Sequence, residues 1–283
     1  NLPSRIHLYY FKISRLCCYM KIHDSLHCDD AGKVLKFYPC DDELAWEYNC
    51  KHNSEVVKRL NWTEDSVEYK FNSHGFRCNE FNDSPAIMFL GCSLTFGIGM
   101  PKESCWTYLV ANMLGLEEFN LGNGGAANDT CFRLASYWIG KLKPQIVCYM
   151  VTFDDRLEIF DKDSPTAYDS VKVCYPSDLN FAGYGLYKPY DRRKYNRREK
   201  DNEQKFTYEK WAINRWNGEL NRLKNVMAVK HICENYGVKF CSLEANIIEQ
   251  DKCARDSVHP GIKSNKITAS AVLDHIDEQI EFS

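Results

Sequence analysis

Four short apolar runs stand out along the last two-thirds of the chain. They are PAIMFLG (85–91), EEFNLGNGG (117–125), QIVCYMVTF (145–153) and VKFCSLEA (238–245). Apolar runs of this length that end in glycine or polar residues are typical of strands buried on both faces of a parallel sheet. The pattern therefore predicts four strands of one buried sheet.

Amphipathic segments separate the apolar runs and predict helices over residues 105–114, 129–142, 203–236 and 261–280. Asn128 or Asp129 is suited to be the N-cap of the second helix. The longest helix carries apolar residues at steps of three and four, which predicts one apolar face. These residues are Ile213, Trp216, Leu220, Leu223 and Met227. The alternation of strands and helices predicts an α/β fold with a parallel sheet.

Two regions depart from this alternation. Residues 20–84 are polar, with a short helix predicted near 43–60 and a strand at Val67–Phe71. This N-terminal extension is too short to hold a large core, so we expect it to pack on the domain formed by residues 85–283. Its strand is expected to add to the sheet or to cover the sheet edge. Residues 155–202 predict an irregular insertion, since they are rich in Tyr, Gly, Pro and charged residues.

The first 19 residues contain apolar positions interrupted by Arg5, Lys12 and Arg15, so they do not form a signal-peptide pattern. The chain does not begin with Met, and its first Met is Met20. One interpretation is a non-native or disordered stretch ahead of a natural start at Met20, and the other is a native N-terminus. Without a signal peptide, the expected location is cytoplasmic or viral.

The amino-acid composition excludes several classes of protein. Of the 283 residues, 44% are hydrophobic and 27% are charged, which is ordinary for a soluble globular domain. The formal net charge of −3 excludes a globally basic nucleic-acid binder, but not a local basic patch. No apolar run reaches the roughly 18 residues of a membrane span. The fourteen cysteines include no C-x-x-C pair, so we expect buried thiols and no metal site.

In open parallel sheets, ligand-binding and catalytic residues lie at the carboxyl ends of the strands. The first apolar run continues into GCSLTFG (91–97), which presents Ser93 directly after a strand and between two glycines. Serine is a poor nucleophile until a neighbouring base takes its proton. Ser93 is therefore a candidate nucleophile, and the alternative is an N-cap serine in a strand-to-helix turn.

A candidate base lies near the C-terminus in DSVHPG (256–261). Asp256 stands three residues before His259, so its carboxylate can accept a hydrogen bond from one imidazole nitrogen. The other imidazole nitrogen is then free to take a proton from serine. The alternative is a surface Asp–His pair that caps the last helix.

The second apolar run continues into NLGNGGAAN (120–128). Glycines allow backbone N–H groups to point into a site, as an oxyanion hole requires. The segment is also a near-match to the dinucleotide-binding fingerprint. That alternative is disfavoured because the segment follows the second strand, and no acidic residue ends a strand about 20 residues later.

Together these segments resemble the SGNH or GDSL hydrolase family over residues 85–280. GCSLTFG is similar to the first block of the family, with Cys92 in place of the usual aspartate before Ser93. NLGNGG is similar to the second block, which implies that Gly125 is the oxyanion-hole glycine. DSVHP resembles the fifth block, in which the aspartate and histidine complete the catalytic triad.

The resemblance implies a three-layer α/β/α sandwich with a mostly parallel, flavodoxin-like sheet. It implies catalysis by Ser93, His259 and Asp256, without a cofactor or metal. The segment NSHGFR (72–77) is also similar to one found just before the serine strand in some bacterial and phage members.

The third block departs from the family pattern, which is Gly-x-Asn-Asp after the third strand. Here the strand ends VTFDDR (151–156), and Asp154 takes the asparagine position. A carboxylate cannot donate a hydrogen bond to an oxyanion unless it is protonated. Losing one such donor costs about 10²–10³ in rate. Asn123, Asn128 or Arg156 are the alternatives for this donor.

The favoured interpretation is a serine hydrolase that cleaves a small ester, such as an O-acetyl or other short acyl group on a carbohydrate. The alternative is a catalytically weak SGNH-like protein that binds a glycan or a partner in the same cleft. A third interpretation is nucleic-acid association through KPYDRRKYNRREK (188–200), which the acidic net charge disfavours. The oligomeric state is left open.

Overall fold

The computed structural model describes residues 30–154, 156–160, 171–174 and 215–281. The strands are β1 Val34–Leu35, β2 Tyr69–Lys70, β3 Ala86–Leu90, β4 Glu117–Asn120, β5 Ile146–Val151, β6 Leu157–Phe160, β7 Val171–Cys174 and β8 Lys239–Glu244. The helices are α1 Glu43–His52, α2 Ser54–Arg59, α3 Ser93–Phe96, α4 Trp106–Leu114, α5 Asn128–Leu142, α6 Arg215–Tyr236 and α7 Ile262–Glu281. Single 3₁₀ turns occur at Glu64–Ser66, Lys102–Ser104 and Ala245–Ile247.

The four strands predicted from the apolar runs form one parallel sheet, in the order β4–β3–β5–β8. In order of appearance along the chain this is second, first, third, fourth, which is the strand order of a flavodoxin-like sheet. β3 and β5 occupy the centre, and every residue of both strands is buried. The prediction of a parallel, flavodoxin-like sheet is therefore confirmed.

Helices cover both faces of the sheet. α4 and α7 pack together on one face, and α5 and α6 pack together on the other. Alternate side chains of β3 enter opposite layers: Phe89 packs against Trp106 of α4, whereas Met88 belongs to the cluster that includes Leu134 of α5. This arrangement confirms the three-layer α/β/α sandwich. None of the described helices combines the length and apolar character needed to cross a membrane.

Buried side chains of the described part of the N-terminal extension, among them Tyr69 and Phe71, share one apolar cluster with Phe96 and Met100 of the following domain. β1 and β2 pair antiparallel in a separate two-stranded sheet, so the predicted strand at 67–71 does not add to the main sheet. The predicted helix at 43–60 is divided into α1 and α2 at Asn53. The boundary at residue 84 stays a prediction, and the stretch at 1–19 lies outside the described residues.

α5 begins differently from its prediction. Its N-cap is Ala127, so the expectation that Asn128 or Asp129 caps this helix was wrong. Both side chains make bonds to other elements instead. Asn128 Nδ2 donates to the carbonyl of Thr152 after β5 at 3.2 Å, and Asp129 accepts from Asn225 Nδ2 of α6 at 3.0 Å. The polar start of α5 therefore joins this helix to its neighbours.

The apolar stripe of α6 does not face the sheet. Trp216 and Leu220 are 78% and 65% exposed, and Leu223 and Met227 are also exposed. The buried side of the helix carries Asn221, Asn225, Val229 and Cys233. The helix is turned this way because Asn221 and Asn225 donate to Asp129. The predicted apolar face is therefore exposed at its four described positions, and Ile213 lies outside the described residues.

The predicted insertion contains regular structure. β6 and β7 pair antiparallel as a two-stranded sheet, whereas the sequence predicted an irregular segment over 155–202. The basic and aromatic segment at 188–200 lies outside the described residues.

A buried ion pair fixes β6 to α5. Arg133 Nε lies 2.7 Å from Glu158 Oε1, and the two side chains are only 4% and 2% exposed. Thr130 Oγ1 donates to the second carboxylate oxygen at 2.6 Å. Two side chains of α5 therefore hold the Glu158 carboxylate, and the Arg133 guanidinium compensates its charge.

Cysteines behave as small buried side chains. Of the ten whose side chains are described, seven are buried, and all ten are free thiols. Cys148 and Cys241 face each other across β5 and β8. Burial raises the pKa of Cys105 to about 11, so this thiol stays protonated at neutral pH.

We expect Glu158→Gln to destabilise the protein by about 3–5 kcal/mol, because it leaves the guanidinium of Arg133 buried without its counter-charge. The matched control is Asp65→Asn, which removes an 80% exposed carboxylate that pairs with Lys36. Urea denaturation of both variants checks this, and the control should unfold at the wild-type midpoint. Equal midpoints for the two variants would contradict it.

Candidate active site

Ser93 is the first residue of the one-turn helix α3, which starts two residues after Gly91 and directly after its N-cap, Cys92. The turn closes when Gly97 N–H donates to the Ser93 carbonyl at 3.0 Å, with Gly97 in the left-handed conformation. Ser93 itself is half-buried. The end of β3 therefore presents this hydroxyl at the carboxyl edge of the sheet.

Asp256 and His259 form a compact acid–base loop, here defined as residues 251–261. Asp256 is 1% exposed, and its Oδ1 accepts from the N–H groups of Val258 and His259 at 3.0 Å each. Its Oδ2 contacts His259 Nδ1. With Nδ1–H donated to the carboxylate, the lone pair is on Nε2, which is the tautomer a general base requires.

A tryptophan and an asparagine tie the neighbours of Ser93 and His259 to one another. Trp106 Nε1 donates to the Leu94 carbonyl at 2.9 Å, and Trp106 N–H donates to Asn265 Oδ1 at 3.0 Å. Asn265 Nδ2 in turn donates to the Pro260 carbonyl at 3.1 Å. The residue after Ser93 and the residue after His259 are therefore joined through two side chains.

A second link runs through the backbone. Arg255 N–H donates to the Gly99 carbonyl at 3.0 Å, so the acid–base loop is bonded to the turn that follows α3. Among the described residues, no hydrogen bond joins Ser93 Oγ directly to His259. Catalytic hydrogen bonds are often long without substrate and tighten in the complex. The structure therefore brings the two loops together without closing the Ser–His bond.

The glycine loop at 122–125 lies against α3. A Cβ added to Gly122 would stand 2.7 Å from the Phe96 nitrogen, so only glycine permits this approach. Ala126 N–H donates to the Asn123 carbonyl at 3.0 Å, and Gly125 has a φ of 75°. A positive φ at the third position is the mark of a type II turn. Gly125 therefore lies in a tight turn next to the helix that carries Ser93.

The Asn128 side chain forms hydrogen bonds with residues of β5 and of the turn that follows it. Its Oδ1 accepts from the Tyr149 hydroxyl at 2.7 Å and from Thr152 N–H at 2.9 Å, while Nδ2 donates to the Thr152 carbonyl. Arg156 reaches the glycine loop instead, where Nη1 donates to the Ala126 carbonyl at 3.3 Å. Among the alternatives to Asp154 as an oxyanion donor, Arg156 therefore places a positive charge beside this loop.

Asp154 forms an ion pair. Its Oδ1 lies 3.1 Å from Arg222 Nε of α6, and Arg222 also pairs with Glu244 at 2.7 Å. The Asp154 and Arg222 side chains are 37% and 31% exposed. The carboxylate at the third-block position therefore interacts with a cation of α6.

The segment NSHGFR (72–77) contacts the region around Ser93 through Arg77, which is 2% exposed. Its guanidinium donates to four main-chain carbonyls, those of Glu68, Phe96, Gly97 and Met100. A guanidinium presents its donors in a fixed planar fork, so it can hold a turn in one shape. Arg77 therefore fixes the backbone immediately after Ser93.

Sequence reasoning missed the supporting residues of this site. Asn265 is the one with the clearest sequence signal for a buried polar role, because it shares the buried stripe of α7 with Ala269, Val272 and Ile276. Trp106 has the pattern of an ordinary core residue, and its indole N–H bond is not visible in sequence. Among the described residues, no group of three or more His, Cys, Asp or Glu side chains could hold a metal ion.

No family model matches the chain, and no curated protein matches it. Solved structures do match. The psychrotrophic esterase EstA from Pseudoalteromonas sp. has a TM-score of 0.35 and 13% identity, covering 69% of this chain and 98% of that chain. A catalytic mutant of Axe2, an acetylxylan esterase from Geobacillus stearothermophilus, has a TM-score of 0.31 and 16% identity over 68% and 94%.

A member of the lipolytic protein G-D-S-L family from Veillonella parvula DSM 2008 has a TM-score of 0.30 and 13% identity, covering 67% of this chain and 96% of that chain. The identities of these three matches, 13–16%, are all low.

We expect Asp154→Asn to change ester hydrolysis by no more than about threefold, far from the ~10²–10³ gain that a restored oxyanion donor gives. The reason is that Asp154 pairs with Arg222. The loss of this partly exposed pair should cost at most about 1 kcal/mol. Turnover of a chromogenic acetyl ester and the melting temperature check both effects. Glu244→Gln, which removes the other partner of Arg222, is the control, and a gain above tenfold in Asp154→Asn alone would contradict the expectation.

Proposed function

We propose that this protein is a serine ester hydrolase of the SGNH or GDSL type. Ser93 is the nucleophile, His259 the general base and Asp256 the residue that orients His259. The observation that carries the proposal is the buried Asp256–His259 pair, on a loop bonded to the turn that follows Ser93. A surface pair that only caps a helix does not need a carboxylate that is 1% exposed.

The reaction follows from these groups. Ser93 Oγ attacks the ester carbonyl carbon while His259 Nε2 takes the hydroxyl proton, which gives a tetrahedral oxyanion. When the carbonyl re-forms, the C–O bond to the alcohol breaks and His259 returns the proton to the leaving alkoxide. Water then attacks the acyl-enzyme by the same route and frees the acid. Asp256 stabilises the imidazolium that forms in each step.

The backbone N–H groups of Ser93 and Gly125 are proposed to stabilise the oxyanion. Among the described residues, neither N–H donates to another group, so both remain available. Asn128 Nδ2 retains a second hydrogen beyond its bond to Thr152, and Arg156 adds positive charge beside the glycine loop. Asp154 is proposed to have no part in the oxyanion hole, because it pairs with Arg222.

The proposed substrate is a small ester, such as an O-acetyl or other short acyl group on a carbohydrate. The support for it is the resemblance of the sequence blocks to the hydrolase family. Neither a cofactor nor a metal takes part in the proposed steps, since a serine, a histidine and a carboxylate complete the proton transfers.

A second candidate is a catalytically weak protein that binds an acylated glycan or another partner in the same cleft. It is favoured by one observation: the third-block position holds a carboxylate paired with Arg222, where the family has an amide donor. Hydrolysis by the wild type separates the two candidates, because the weak binder would retain affinity for an acetylated oligosaccharide without turning it over.

We expect Ser93→Ala to lower kcat on a chromogenic acetyl ester by about 10³-fold or more, since the triad acts as a unit. The matched control is Ser270→Ala, which removes an exposed serine of α7 whose hydroxyl donates to the Lys266 carbonyl. This control should keep wild-type turnover. Comparable turnover in Ser93→Ala and the wild type would exclude Ser93 as the nucleophile.

We expect a fluorophosphonate to abolish hydrolysis and iodoacetamide to leave it unchanged. Cys92 stands beside Ser93 but is 0% exposed, and burial raises the pKa of the more open Cys40 to about 11. Thiols that are protonated or buried react slowly with alkylating agents. Mass spectrometry locates the phosphonate adduct, which should be on Ser93. An adduct on Cys92, or inactivation by iodoacetamide, would indicate a cysteine nucleophile instead.

A further inference from the structure

Arg255 immediately precedes Asp256 and is 0% exposed. Its guanidinium forms a bidentate ion pair with Asp41 of the extension, with Nε–Oδ1 at 3.0 Å and Nη2–Oδ2 at 2.6 Å. The remaining donors bind main-chain carbonyls of the extension, Lys36 at 2.7 Å and Glu64 at 2.6 Å. The acid–base loop is therefore anchored on the N-terminal extension.

Tyr69 completes a closed circuit of bonds. Its hydroxyl donates to Asp41 Oδ2 at 2.6 Å and accepts from Gly99 N–H at 2.8 Å. The Gly99 carbonyl accepts from Arg255 N–H at 3.0 Å. The circuit runs from Gly99 through Tyr69 and Asp41 to Arg255 and back to Gly99. It joins the extension, the turn after α3 and the acid–base loop.

The circuit leaves little room for movement. Gly99 has a φ of 73°, and a Cβ added there would stand 2.9 Å from Ala254 Cβ and 3.1 Å from Asp256 Oδ1. The turn after α3 thus lies directly against the catalytic carboxylate of the proposed triad.

The members of the circuit are buried and mutually dependent. Burial raises the pKa of Tyr69 well above its ordinary value, so the phenol stays protonated and remains a donor. Burial also raises the pKa of Asp41, and the hydrogen bonds from Arg255 and Tyr69 oppose that shift. Removing one member leaves another buried without its partner, which is costly in a low-dielectric interior.

We infer that Asp41, Tyr69 and Arg255 are positioning residues that set His259 at its working distance from Ser93. This inference rests on the proposed function. None of the three needs to touch the substrate, because each acts through the backbone of Gly99 or of the loop that carries His259. A misplacement of about 1 Å between reacting groups can cost about 10²-fold in rate.

A displacement at Gly99 is transmitted to Ser93 over a short path. Ile98 N–H donates to the Ser93 carbonyl at 3.3 Å, and Gly97 N–H donates to the same carbonyl at 3.0 Å. On the other side of the circuit, Arg255 is covalently adjacent to Asp256, which binds the His259 ring. Both ends of the proposed proton transfer therefore depend on the same four residues.

Tyr69→Phe tests the inference with the smallest change, since it removes two bonds of the circuit and keeps the ring. We expect kcat on a chromogenic acetyl ester to fall by about 10- to 100-fold. KM should stay within about twofold, because substrate contacts are unchanged. Steady-state kinetics and the melting temperature are measured together for each variant.

Glu118→Gln is the matched control for a purely structural loss. Glu118 is a buried carboxylate that accepts from Thr107 Oγ1 at 2.6 Å and lies 3.7 Å from Lys102 Nζ, outside the circuit. It should lower the melting temperature without lowering kcat. Wild-type kcat in Tyr69→Phe, or an equal loss of kcat in the control, would overturn the inference.

Amide hydrogen exchange gives a readout that does not depend on activity. In Tyr69→Phe, the amides of Gly99 and Arg255 should exchange at least about tenfold faster than in the wild type, and in Glu118→Gln they should not. If the wild type hydrolyses no ester, the proposed function fails, and exchange still decides whether the circuit holds the two loops together. Unchanged exchange in Tyr69→Phe would overturn the inference whatever the activity.

Discussion

The ion pair between Asp41 and Arg255 links two parts of the chain that lie 214 positions apart in sequence. Both side chains are 0% exposed, so the desolvation of two charges has to be offset by well-formed bonds. Tyr69, Lys36 and Glu64 supply those bonds, and all belong to the extension. The acid–base loop is therefore bonded to the extension through the buried side chain of Arg255.

The direction of the strands in the main sheet also constrains the proposed site. Because β3, β4, β5 and β8 are parallel, their carboxyl ends meet at one edge. Ser93 follows the central strand β3 directly, so its backbone is fixed by a strand buried on both faces. The acid–base loop has no such strand at its end and depends on side-chain bonds, through Trp106 and Asn265 on one side and Arg255 on the other.

Two buried arginines bind different segments of backbone around the proposed site. Arg77 binds the carbonyls after α3, and Arg255 binds the extension beneath the acid–base loop. They meet at Tyr69, whose ring lies 4.4 Å from the Arg77 guanidinium carbon and whose hydroxyl bonds Asp41. A planar cation with several donors can satisfy many carbonyls at once, which a lysine cannot. This property suits arginine to irregular backbone next to a site.

The sequence alone determined the parallel sheet, its helices and the contact between Asp256 and His259, because apolar runs and a spacing of three residues are local patterns. It did not determine which side of α6 is buried, since the apolar stripe is exposed and the asparagines bind Asp129. Only the tertiary structure decided that Asp154 pairs with Arg222 and that Asp41 pairs with Arg255 across 214 positions. Such pairs leave no periodic signal, because the partners are brought together by the packing of separate elements.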